Sequence, residues 1–209
     1  IALVGDAELD EGNVWEAIAD PATNELGNFT MVVDLNRQSL DRVIPDIAAI
    51  RLKSFFADAG WHVAEAKYGA SLEAAFLQPG GQALKAHIDG LSNEAYQDLF
   101  PLRPAEHRHK FLSTADQSVH KIAAELDDEA LAHLVSDLGG HDLGLLLDTF
   151  RECDAHTTQP SVVCAYTVKG HGLPMAGDPM NPAAMLSPQQ VEAFRLAAGL
   201  DTTTEWDRF

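Results

Sequence analysis

Two polar clusters in this sequence carry the residue types that a divalent cation and a phosphorylated ligand require. Gly5-Asp6-Ala7-Glu8 follows the apolar run of residues 1–4, and Asp34-Leu35-Asn36-Arg37-Gln38 follows a run rich in β-branched residues, FTMVVDL. Ligands of open parallel sheets bind at the carboxyl ends of the strands. Asp6 and Asn36, 30 positions apart, are therefore expected within reach of one ion if their strands end side by side. A carboxylate, an amide oxygen and a main-chain carbonyl form a hard, all-oxygen set of low charge. That set suits Mg²⁺, which takes few protein ligands and completes its octahedron with phosphate oxygens and water. Gly5 lets the backbone approach closely, and the helix start beyond it aims N–H groups at a diphosphate. The same residues also have a plainer reading, because carboxylates favour helix N-termini and an acidic turn there caps and solvates. Spacing alone leaves both readings open.

The elements that would position these clusters alternate. Strands are expected over residues 1–4, 29–35, 61–66 and 161–167, with a helix containing Val14, Trp15 and Ile18 after the first. A second helix carries Ala48, Leu52, Phe55, Phe56 and Ala59 and stops at Gly60. This alternation predicts a three-layer α/β domain, a mainly parallel sheet with helices on both faces, over residues 1–209. Residues 70–138 are polar and helical in pattern, broken near Pro101, Pro104 and Asp116, and read as a helical insertion. Asp142 can cap a helix whose Leu143, Leu146, Leu147 and Phe150 fall on one stripe. Residues 169–185 form a Gly/Pro-rich loop, and Ser187-Pro188-Gln189-Gln190 opens a last helix with a capping box.

Composition narrows the function classes. A net charge of -18 argues against a nucleic-acid backbone or an anionic membrane as partner, so any phosphorylated ligand must be attracted locally. No run approaches the roughly 18 apolar residues of a membrane-spanning helix. Cys153 and Cys164, one in a helical and one in a strand pattern, suit a reducing, cytoplasmic setting. The first residues, Ile1-Ala2-Leu3-Val4, lack an initiator Met and a basic leader and read as a buried strand. The sequence is therefore expected to be part of a longer polypeptide.

The stretch GDAELDEGNVWEAI, followed by VVDLNRQSLDRV, resembles the thiamine-diphosphate motif of the transketolase superfamily, which begins with GDG and ends near an Asn. Together with FADAGWHV, LGGHD and AYTVKGHGLP, it is similar to the homodimeric type of the first component of the pyruvate dehydrogenase complex. The resemblance runs from residue 1 to 169 and returns at residues 206–209. It implies that Asp6 and the side chain of Asn36 ligate Mg²⁺, with the backbone carbonyl of Gln38 as third ligand. It implies further that Gly5, Ala7 and Glu8 line the diphosphate of thiamine diphosphate beside Asp34 and Asn36. Lys169 and His171 are the catalytic candidates on the loop that follows. A pyrimidine-binding second domain would come from a homodimer mate, and a lipoyl-bearing acyltransferase would receive the acyl group. The sequence departs from the family where Ala7 replaces the third motif residue, Gly, and where Asn181-Pro182-Ala183-Ala184 lacks the loop's usual His.

Other polar groups are expected to be structural. His107 and His109 read as a solvated helix face, His141 as a fixture at a helix start, and Asp127-Asp128-Glu129 as a solvated helix N-terminus. Two alternatives accompany the 2-oxo acid dehydrogenase reading. One is ketol transfer between sugar phosphates, as in transketolase. The other is a non-catalytic relative serving as an assembly module, which has no need of metal ligands.

Overall fold

The computed structural model describes residues 1–39, 42–43, 49–178 and 185–204, with the side chains at 38–39 and 42–43 left aside. Four strands, β1 (Ala2–Gly5), β2 (Thr30–Leu35), β5 (His62–Ala66) and β6 (Ser161–Tyr166), build a wholly parallel sheet in the order β1-β2-β6-β5. Between β2 and β5 lies a two-stranded antiparallel ribbon, β3 (Gln38–Ser39) with β4 (Arg42–Val43), beyond the four strands expected from the sequence. The sheet register places Gly5 beside Asp34 and Asp34 beside Ala165, so the carboxyl ends of three strands finish level.

Alternation along β2 divides its side chains between two cores. Met31, Val33 and Leu35 join Val162, Cys164 and Tyr166 in the larger one, which also takes Ile18 of α1 (Gly12–Ala19) and Phe56 of α2 (Ala49–Asp58). Val32 joins Ala64, Val163 and Ala165 in the smaller one, under Cys153 and Phe150 of α9 (Leu143–Ala155). Every residue of β6 is buried, as expected for a central parallel strand covered on both sides. The cover thins towards β1, however. Leu3, level with Val32, remains 74% exposed, because α9 packs over β5 and β6. The apolar stripe of α9 correspondingly stays largely outside, with Leu143 and Leu147 exposed, while Thr149 and Cys153 face inward.

The segment after β5 is helical, as its sequence predicts: α3 (Ala70–Phe76), α4 (Gly81–Gly90), α5 (Asn93–Gln97), α6 (Pro104–Leu112), α7 (Gln117–Ala124) and α8 (Asp128–Val135). Asp116 accepts hydrogen bonds from the amides of Ser118 and Val119, and Asp127 accepts one from Ala130, so both aspartates cap their helices. The Arg108 guanidinium donates to the carbonyls of Ala123 (2.8 Å) and Leu126 (2.5 Å) and to Asp128, tying α6 to the junction of α7 and α8. His107 corrects the sequence reading. It is 3% exposed and stacks on Phe111 one turn later, because the buried side of α6 runs through both residues. The last helix, α10 (Pro188–Ala197), opens with the expected Ser187/Gln190 capping box.

Candidate functional site

The site lies where β1, β2 and β6 end. Asp6 starts a short 3-10 turn (Asp6–Asp10) directly after β1, and Asn36 and Arg37 leave β2 beside it. The backbone amide of Arg37 donates to Oδ2 of Asp6 at 2.9 Å, which fixes the two strand ends to one another. Asp6 is 7% exposed. That burial, aided by the nearby Asp34 charge, pushes its carboxyl up to about 6, while the Arg37 amide and the Lys169 ammonium oppose the shift. A carboxylate taken out of water this far is under-compensated, and a divalent cation is the partner that would hold it ionised.

Asn36, equally buried, donates its Nδ2 to Oδ2 of Asp34 at 2.8 Å. Asp34 also accepts a hydrogen bond from the Thr167 hydroxyl across on the β6 side. These two bonds fix the Asn36 amide plane, so that Asp34 positions the group whose oxygen suits Mg²⁺. Gln38 opens the β3–β4 ribbon two residues further on. Ahead of β1, a Cβ built on Gly5 would meet no atom within 4 Å, so open space fronts this turn. Gly5, Glu8, Asp34, Gly140 and Thr167 line the polar end of a groove of about 570 Å³, whose floor is Leu3, Val32 and Ala165. Glu8 turns back and accepts the Gly5 amide at 3.0 Å, which satisfies that N–H. Ala7 stands between them, half-buried, and its backbone hydrogen-bonds the Asp6 carboxylate.

A glycine pair brings a further residue to this end. A Cβ on Gly140 would lie 2.4 Å from the Tyr166 carbonyl, and one on Gly139 2.5 Å from the Ala66 carbon, so only glycines allow this turn to seat on the strand ends. His141 follows, and its Nε2 accepts the Val168 amide at 2.8 Å, which leaves the ring proton on Nδ1. Burial pushes His141 down to about 4, with the His171 ring adding to the shift and Asp34 opposing it. A neutral imidazole thus anchors the segment that carries Lys169. This agrees with its expected structural role and extends it.

The structure brings Gly5, Asp6, Ala7, Glu8, Asp34 and Asn36 together at one end of the sheet, and Lys169 stands near enough for its charge to act on Asp6. His171 is set apart from the carboxylates. It is exposed and stacks on His141 at 3.7 Å between ring centroids. Residues 169–178 form consecutive turns, held by Gly177 N–H to the Lys169 carbonyl (2.9 Å) and by the buried Gln97 Nε2 to the Gly177 carbonyl (2.9 Å). Asn181, Pro182, Ala183 and Ala184 lie outside the described residues, as does the 206–209 motif. Sequence reasoning missed Thr167 as a partner of Asp34 and left Arg37 without a role. The only signal for Thr167 was its position at the end of a strand. Among the described residues, no group of three or more His, Cys, Asp or Glu side chains could hold a metal, so any ligand set here draws on amide and backbone oxygens. No helix among them is long and apolar enough to cross a membrane.

No known protein-family profile matches the chain. Curated proteins do. The pyruvate dehydrogenase E1 component of Cupriavidus necator is 28% identical over 197 residues, covering 93% of this chain and 22% of that protein. The E1 component of Corynebacterium glutamicum is 30% identical over 174 residues, covering 82% and 18%. That of Escherichia coli is 24% identical over 196 residues, covering 93% and 22%. The similarity read from the motifs is thereby borne out over nearly the whole chain, and the chain spans about a fifth of the length of these relatives. Among solved structures, a transketolase of Pichia stipitis in complex with xylulose 5-phosphate superposes with a TM-score of 0.49 at 16% identity, covering 95% of this chain and 19% of that one.

Proposed function

We propose that this chain is the diphosphate- and Mg²⁺-binding part of a thiamine-diphosphate-dependent 2-oxo acid dehydrogenase that decarboxylates pyruvate and transfers the acyl group. One observation carries the reading: Asp6 and Asn36 leave adjoining strand ends joined by the bond from the Arg37 amide to Asp6. The donor set fits the metal, with one buried carboxylate, one amide clamped by Asp34, and a backbone carbonyl available from Gln38. Gly5 leaves room for a diphosphate at the mouth of the groove.

When bound, thiamine diphosphate supplies the ylid and the electron sink for the carbanion. The chain's own residues hold and orient. Asp6 would be the one charged ligand of the metal, Asp34 and Thr167 keep the Asn36 amide in place, and His141 holds the backbone from which Lys169 extends. Lys169 gives a cation that faces negative charge on the substrate carboxylate. The pyrimidine half of the cofactor is left to a second domain, contributed by a homodimer mate, and a lipoyl-bearing acyltransferase takes the product in the cytoplasm. The similarity to E1 components over most of the chain supports this reading over ketol transfer or a scaffold.

Calorimetric titration of the protein with thiamine diphosphate, with Mg²⁺ and with EDTA, tests it. Binding that requires the cation, and falls at least about a hundredfold in Asp6→Ala, is expected. Equal affinity in EDTA, or an unaltered Asp6→Ala, removes the metal assignment.

A further inference from the structure

Arg37 presents its side chain to the opposite side of the same strand end. Its backbone is left-handed, with φ of 63°, the only positive φ at a non-glycine residue among those described. Its side chain is buried, 8% of the residue being exposed, and Nη1 has no hydrogen-bond partner. The guanidinium lies over the rings of Tyr96 (5.0 Å) and Tyr166 (5.5 Å), and no carboxylate among the described residues pairs with it. Aromatic faces attract a cation but leave its N–H donors unsatisfied. An arginine stays charged on burial, so this donor calls for an anion.

The guanidinium lines a cavity of about 480 Å³ between the end of β2, α2 and the helical insertion. Its charged lining residues are Arg37, Arg51, Lys67 and Asp89. Asp89 does not neutralise the arginine, because its carboxylate is engaged by Lys67 Nζ (2.6 Å), Lys85 Nζ (2.6 Å) and the Tyr68 hydroxyl. Among the described residues, the cavity lining therefore keeps a positive bias in a chain of net charge -18. Apart from Asn93, the rest of its wall is mostly apolar and flat: Ala49, Ile50, Ile88, Leu91 and Leu138, with the faces of Tyr68, Tyr96 and Tyr166. The hydroxyl of Tyr96 is already committed to the Val135 carbonyl at 2.6 Å, so this tyrosine offers a surface and not a donor.

We infer that this cavity is a binding site for a small organic anion, with one carboxylate or phosphate head on Arg37 and a flat apolar body between the tyrosines and Leu138. Guanidinium forks pair with both head groups in planar, charge-assisted bonds. Walls of this kind with a few placed polar groups are what small-molecule sites have in common. The site stands on the face of the sheet away from the Gly5 groove, and its existence does not depend on the metal reading.

Benzoate and phenyl phosphate are the probes, titrated into the protein in EDTA and followed by calorimetry, with benzyl alcohol as the uncharged control. Saturable binding of either anion, with none by the alcohol, is expected, together with at least about a tenfold loss in Arg37→Gln. Mg²⁺ in place of EDTA should leave the benzoate affinity unchanged, which separates this site from the proposed metal site. Preference for benzoate or for phenyl phosphate identifies the head group as carboxylate or phosphate. Should Arg37→Gln fail to fold, the nitrogen resonances of the Arg37 side chain in the parent protein give the same answer, since an anion on Nη1 shifts and sharpens them. No saturation up to about 10 mM, equal affinity in Arg37→Gln, benzoate binding that changes with Mg²⁺, or unmoved Arg37 resonances would overturn the inference.

Discussion

The strand ends and the helical insertion carry similar charged groups and treat them in opposite ways, burying them at the strand ends and pairing them near the surface in the insertion. In the insertion, charges find partners: Arg108 reaches two carbonyls and Asp128, Asp89 takes two lysines, and Asp116 and Asp127 cap helices. At the strand ends, burial pushes the Asp6 carboxyl up to about 6 and leaves Nη1 of Arg37 without an acceptor. A polar group buried with its partners stabilises a fold, and one buried short of partners marks a place where a ligand completes the set. Two buried groups inside the insertion are exceptions that test the contrast: Gln97, whose Oε1 is unpartnered, and His107, with both ring nitrogens unpartnered.

The largest effects should come from breaking each region in its own currency. Asp6→Ala should weaken Mg²⁺-dependent cofactor binding by about 3 kcal/mol while the fold survives, read by calorimetry beside a melting curve. Arg108→Ala should do the reverse, lowering stability by about 2–3 kcal/mol in denaturant titration and leaving cofactor affinity intact. If Arg108→Ala lost cofactor affinity at unchanged stability, the division between the two regions would not hold.

The next effect is a pH dependence. The Asp6 carboxyl moves from the ordinary 3.8 to about 6 on folding. The folded state therefore holds the proton more tightly, and this favourable contribution is full below pH 3.8 and lost as pH rises through 6. Without metal, the protein should lose about 3 kcal/mol of stability over that window, and Asp6→Asn should remove most of the loss. Mg²⁺ added at neutral pH should restore stability to the parent but not to the variant. A parent and variant with parallel stability profiles would show that Asp6 is not strained by its burial.

Turnover probes the loop. Lys169→Ala should slow pyruvate turnover by about tenfold, a loss of about 1.4 kcal/mol in the barrier, at nearly constant cofactor affinity. Full activity would return this lysine to a structural role. The smallest effect sharpens the second exception. His107, pushed down to about 4 by burial, is neutral near pH 7, and His107→Phe should raise stability by about 1 kcal/mol, because it removes two unpartnered polar atoms and keeps the stack on Phe111. A destabilised His107→Phe would point to a use for those nitrogens.

Local pattern was enough for much of this molecule. Three apolar runs with β-branched residues and the more mixed run of residues 61–66 became the four strands of a parallel sheet, since the strands nearest its centre need side chains that pack both ways. Asp142, Ser187 and Gly60 marked helix limits, since capping and left-handed turns depend on neighbours a few residues away. That Asp6 and Asn36 follow adjoining strand ends was legible because level parallel strands bring the residues that follow them together. What escaped the sequence depends on contacts between distant segments. The stripe of α9 looked like a core face, yet the sheet edge it would cover lies beyond the helix's reach. His107 looked solvated until α8 packed against α6. Asp34 meets Thr167 across 133 positions, and Arg37 became a buried, unpaired cation only when Tyr96 and Tyr166 closed over it. Periodicity along the chain sets which face a side chain takes, whereas the company it keeps there is decided by segments that meet only in the folded state.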